Sequence, residues 1–101
     1  MDILDLGGAG LGDQAVLSIS ELFESRNKLK TIKLMNNKIT DEAFPELLHR
    51  CRNSFSLNLS YNNLTEKSLE WLEKEAVNLG NLANITVSNN KIVLRNVKDR
   101  I

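Results

Sequence analysis

The chain has 101 residues, 42% hydrophobic and 26% charged, the proportions of one ordinary globular domain spanning 1–101. Its 13 basic and 13 acidic residues cancel, which excludes the strong positive field of a nucleic-acid or anionic-membrane binder. No apolar run approaches the roughly 20 residues of a membrane span, the opening residues do not read as a signal peptide, and the single cysteine, Cys51, rules out an intrachain disulfide and fits a reducing, cytoplasmic setting.

Leu4 and Leu6 alternate with Ile3 and Asp5, a period of two that predicts a strand, and Gly7, Gly8, Gly10 and Gly12 make the turn after it. Ala15, Val16, Ile19, Leu22 and Phe23 then recur at helical spacing. They predict a helix over 13–25 with Asp13 as its N-cap and Arg26, Asn27 and Lys28 closing it. A second strand is predicted around Ile32 and Leu34. Thr40 resembles an N-cap, but Pro45 has no N–H to give the carbonyl four residues back. The spacing therefore predicts a loose turn over 40–44 and a helix over 45–52, with Leu47, Leu48 and Cys51 inward. A third strand around Leu57 and Leu59 leads to a helix over 65–78, capped by Thr65. Leu69, Leu72, Ala76 and Leu79 line its apolar side, and Ser68 lies beneath. Trp71 falls off that line, placed to cover the neighbouring segment or to reach a partner. Gly80 suits a left-handed helix end, a fourth strand is predicted over 83–88, and Val93, Leu94, Val97 and Ile101 predict a short terminal helix.

One spacing underlies all four strands. Leu29, Ile32, Leu34, Asn37 and Ile39 fit L-x-x-L-x-L-x-x-N-x-L; the same spacing returns at Ser54, Leu57, Leu59, Asn62 and Leu64, and again at Leu82, Ile85, Val87, Asn90 and Ile92. A fainter copy uses Met1, Leu4, Leu6, Ala9 and Leu11. The copies begin at Leu4, Ile32, Leu57 and Ile85, in steps of 28, 25 and 28 residues. Strand, turn and helix repeating at this period resembles a leucine-rich repeat protein of the ribonuclease-inhibitor-like class. The departures are Met1, Ser54 and Ala9.

That resemblance implies a short right-handed α/β solenoid of about four repeats, near 1–28, 29–53, 54–81 and 82–101. The parallel strands form a concave sheet and the helices lie on the convex side. Leu4/Leu6, Ile32/Leu34, Leu57/Leu59 and Ile85/Val87 are then expected to stack inward. Asn37, Asn62 and Asn90 are expected to form a ladder, since a buried amide donates and accepts at once. Ala9 cannot join it. The alternate side chains are expected outward as the binding face: Asp5, Thr31, Lys33, Met35, Asn58, Ser60, Asn84, Thr86 and Ser88, with Tyr61 at the rim. Ile3, Gly7 and Ser56 share that side, and Asn36 and Asn89 share the rim.

No catalytic residues, metal ligands or cofactor are expected. His49 reads as solvated and Cys51 as packed. The Glu70 and Lys74 helix face reads as solvated, and the sequons at Asn58, Asn63 and Asn84 read as chance. The leading expectation is a non-catalytic module that binds another protein through the concave face. A second reading is a structural subunit, a fragment of a larger repeat assembly or an end-to-end homo-oligomer, because the first strand has no polar capping unit before it. A third is an enzyme binding S-adenosylmethionine or a dinucleotide through residues 7–12. Gly10, Gly12 and Ala15 are similar to the fingerprint of such enzymes, but no carboxylate ends the next strand and no G-K-[ST] is present.

Overall fold

The computed structural model describes residues 2–25 and 29–92. The predicted basic close at 26–28 and the predicted helix over 93–101 lie outside them, as does Met1. The elements alternate along the chain: β1 (Ile3–Asp5), α1 (Asp13–Ser25), β2 (Thr31–Lys33), α2 (Phe44–Arg50), β3 (Ser56–Asn58), α3 (Glu66–Glu75) with a 3₁₀ turn at Ala76–Asn78, and β4 (Asn84–Thr86). The four strands form one parallel sheet in the order β1-β2-β3-β4.

The register is unstaggered. Leu4 lies beside Ile32, Ile32 beside Leu57, and Leu57 beside Ile85. These side chains, with Leu34, Leu59 and the apolar sides of the helices, make one core on one face of the sheet. Ile32, Leu34, Leu57 and Leu59 are fully buried, while Leu4, Leu6, Ile85 and Val87 at the two ends are half-buried. Backbone pairing runs past the strand ends. Gly8 N donates to Met35 O at 3.0 Å, Asn36 N to Ser60 O at 2.9 Å, and Tyr61 N to Ser88 O at 3.1 Å.

Each strand leaves through the same bend. The second residue after Leu6, Leu34, Leu59 and Val87 is left-handed: Gly8 (φ 72°), Asn36 (58°), Tyr61 (58°) and Asn89 (56°). The asparagines then close the bend, each serving the segment before its own. Asn37 Oδ1 accepts from Leu11 N at 2.8 Å, and its Nδ2 donates to Leu6 O and Leu34 O. Asn62 does the same for Ile39 N, Leu34 O and Leu59 O, and Asn90 for Leu64 N, Leu59 O and Val87 O. No buried side-chain polar atom among the described residues lacks a partner. An unmet buried group would cost about 1–3 kcal/mol.

A second set of bonds ties the helix starts together. The Asp13 carboxylate accepts from Thr40 N at 2.7 Å and from Thr40 Oγ1. One segment later, Asp41 accepts from Thr65 N at 2.8 Å, from Thr65 Oγ1, and from Ser68 Oγ at 2.6 Å. At the other end of the helices, Arg50 and Arg52 both grip the Glu24 carboxylate, joining α1 to the last residue of α2 and the chain just after it.

The helices differ from expectation in detail. On α1 the buried line is Val16, Ser20 and Phe23, with Leu17 and Ile19 half-buried; Ala15 is exposed and Leu22 is 55% exposed. The cause is position: α1 packs on α2 alone among the described helices, so one flank of its apolar stripe meets no described helix. Ser20 sits in the buried line because its hydroxyl donates to Leu17 O at 2.7 Å. Helix α2 starts at Phe44, with Pro45 in its first turn and Ala43 as a cap without a side-chain bond. Its expected inward residues Leu47, Leu48 and Cys51 are buried. Helix α3 is capped by the Thr65 hydroxyl and tightens to 3₁₀ at Ala76, which is exposed where burial was expected. Leu79, just beyond, is buried as expected. Trp71 packs edge-on against Phe44 at 5.8 Å and His49 at 5.6 Å, covering α2. Gly80 is left-handed (φ 59°), and a Cβ there would stand 2.8 Å from Arg52 O. The fourth strand is shorter than the predicted 83–88, at Asn84–Thr86.

Candidate functional site

With the core on one side, alternation sends every second strand residue to the other. Two rows cross the sheet in register: Ile3, Thr31, Ser56 and Asn84, then Asp5, Lys33, Asn58 and Thr86. Met35, Ser60 and Ser88 follow as a third row, and Gly8, Asn36, Tyr61 and Asn89 form the bend beyond it.

These side chains are not equally available. Asp5, Asn84, Thr86 and Ser88 are exposed, and Thr31, Lys33, Met35 and Asn58 are half-buried. Two of them cap their own strands. Asp5 Oδ1 accepts from Gly7 N at 2.9 Å, and Asn58 Oδ1 accepts from Ser60 N at 3.0 Å. Ser60 is 6% exposed, and its hydroxyl lies 3.0 Å from that of Ser88. Ser60 therefore braces β3 to β4 and offers little to a partner. Tyr61 is the opposite case, 59% exposed.

The charges on this side are few. Asp5 and Lys33 stand opposite each other across β1 and β2. From β3 onward the rows hold hydroxyls, amides and one phenol. Phe55, just before β3, is 55% exposed and was not among the expected face residues. It occupies the place that Asp2, Lys30 and Ala83 hold before the other strands, so an aromatic out of pattern was the available signal.

The chemistry elsewhere is quiet. Burial pushes the Cys51 thiol up to about 12, so it stays protonated and unreactive. His49 is exposed and edge-on to Trp71. Among the described residues, no group of three or more His, Cys, Asp or Glu could hold a metal ion, and no helix is long and apolar enough to cross a membrane.

The glycine turn is held by its neighbour: Asn37 bonds Leu11 N and Leu6 O, and Lys38 N donates to Leu11 O at 2.8 Å. An anion at the start of α1 would meet the Asp13 carboxylate, the wrong sign for a phosphate cradle. The sequential strand order also lacks the reversal at which open α/β sheets bind nucleotides.

Burial of Asp41 alone would raise its pKa, but the bonds from Ser68 and Thr65 outweigh it and hold the carboxyl below 3.8. The Arg52 guanidinium likewise holds Glu24 below its ordinary value. Both carboxylates are structural ties rather than acid–base groups poised near neutrality. Compared with known proteins, the sequence matches no family model and no curated protein.

Proposed function

We propose that this chain is a leucine-rich-repeat solenoid of the ribonuclease-inhibitor-like class, a non-catalytic module that binds another protein through the outward, concave face of its sheet. One observation carries the reading. Parallel sheets are ordinarily covered on both faces, yet here the core lies on one face, while the other holds exposed Asp5, Asn84, Thr86 and Ser88. Thr31, Lys33, Met35, Asn58 and Tyr61 complete that surface, with Met35 and Tyr61 as its apolar contacts and the buried Ser60 bracing β3 to β4 beneath them. The asparagine bonds and unstaggered register support the repeat reading, and the buried free cysteine suits a reducing, cytoplasmic location.

The test is co-purification from the native source with Lys33→Glu plus Tyr61→Ala as the control bait. The double variant loses a partner that the parent retains, at unchanged helicity by circular dichroism. Equal recovery by both baits rejects the face. A second reading rests on β1, whose outer edge meets no described strand and whose Ile3 is 53% exposed. It makes the chain a subunit joined end-on, to another copy or within a larger repeat assembly. Light scattering that gives a monomer mass in dilute buffer rejects that joint for the isolated chain.

A further inference from the structure

We propose that Tyr61 is the anchor by which this face holds an uncharged, extended peptide segment of its partner. The inference rests on the protein-binding reading above and names the chemistry of what is bound.

Conformation comes first. The four bend positions share one left-handed geometry, at φ 56–72°. Glycine and asparagine reach that region at small cost, and three of the four positions hold them: Gly8, Asn36 and Asn89. A tyrosine there is a steric outlier. Nor does the fold recover the strain through burial, because the side chain is 59% exposed. The bend has no need of a phenol at this position, and an unrepaid local cost of this kind belongs to function.

The surroundings say what an anchor here would meet. Asn36 and Asn89 flank Tyr61 in the adjacent segments, and Asn84 lies on the β4 side of the face. The side chains of these three asparagines make no hydrogen bond to another described residue. Carboxamides both donate and accept, as the N–H and C=O groups of an extended main chain require. Asn36 and Asn89 stand one strand to either side of Tyr61, about 4.8 Å away in each direction, while Asn84 lies at the far end of β4 beside Ser56. Around them, Ser56, Asn58, Ser60, Thr86 and Ser88 carry no charge. Lys33 borders this half beside Asn58, but over β3 and β4 themselves a charged partner segment would be desolvated with no counter-charge to receive it. An uncharged segment loses nothing there, and an apolar side chain or proline ring can lie on the exposed phenol ring.

The experiment pans a phage-displayed library of short random peptides on the full chain, then measures the enriched peptides by fluorescence anisotropy. Enrichment of uncharged sequences is expected. Tyr61→Asn, which installs the residue of the neighbouring bends, weakens them by about tenfold or more, while its melting temperature holds or rises. Tyr61→Phe retains most of the affinity. A charged consensus, no enrichment, or unchanged affinity in Tyr61→Asn overturns the proposal. So does a fall in the melting temperature of Tyr61→Asn, which would make the ring a packing residue, or capture of neutral oligosaccharides on a glycan array in place of peptides. Thr86→Arg separates the two readings. Loss of binding in Thr86→Arg but not in Tyr61→Asn leaves the face and removes the anchor, whereas retention in both removes the face as well.

Discussion

The middle of the sheet and its two ends are built on the same spacing but are buried differently. Ile32, Leu34, Leu57 and Leu59 are closed off on both sides by neighbouring segments, while Leu4, Leu6, Ile85 and Val87 have one described neighbour each and stay half-buried. The difference teaches that a leucine's contribution here is set by its place in the stack rather than by its match to the pattern. Burying a whole Leu side chain contributes roughly 1.5–3 kcal/mol, and a half-buried one correspondingly less.

The sharpest way to break that comparison is Leu57→Ala against Leu4→Ala. In urea titrations the first costs about 3 kcal/mol and the second less than half of that. Equal losses would show the ends to be as tightly packed as the middle. Next comes the polar spine. Asn62→Ala costs about 2 kcal/mol: it leaves Ile39 N without its acceptor, while Leu34 O and Leu59 O each keep one amide, from Asn37 and Asn90. Ala9→Asn changes the same midpoint by under about 0.5 kcal/mol, since no described segment precedes it for the amide to serve.

The carboxylate tie between the second and third segments gives a smaller, pH-dependent effect. Asp41→Asn costs about 1 kcal/mol at neutral pH. Because the folded carboxyl titrates below its ordinary 3.8, its contribution is complete above that value and is lost as pH falls through the lower folded one. Parent and variant therefore converge in strong acid, and thermal melts across an acid series measure it. Smallest is Glu24→Gln. It loosens the exposed fork with Arg50 and Arg52. The resulting drop in melting temperature shrinks at about 1 M salt, where such pairs are screened.

Much of the sheet was legible in the sequence. The two-residue alternation and the step from Leu4 to Ile32 to Leu57 to Ile85 are local patterns read off one after another, and they place the strands and the inward columns. Cys51 packed inward because the helical spacing put it with Leu47 and Leu48. What escaped were features decided between segments. Asp13 read as a local N-cap, yet its carboxylate reaches Thr40 in the next segment, and Asp41 reaches Thr65 and Ser68. The signal was present, since Asp13 to Asp41 and Thr40 to Thr65 repeat the 28- and 25-residue steps of the strands. The buried line of α1 escaped for the same reason: helical spacing fixes which residues share a stripe, not which flank finds a neighbour. On the face, the outward assignment followed from alternation. Ser60's bond to Ser88 and Tyr61's left-handed backbone depend on the adjoining segment and the bend, which periodicity does not encode.

The asparagine bonds run one way, each amide closing the bend of the segment before it. A ribosome releases this chain from its N-terminus, so the bend of the first segment emerges about 26 residues ahead of the amide that completes it, Leu11 before Asn37. Maturation on the nascent chain must therefore trail translation by one segment. A polypeptide stalled just short of Asn37 would carry its first strand with the bend still wet.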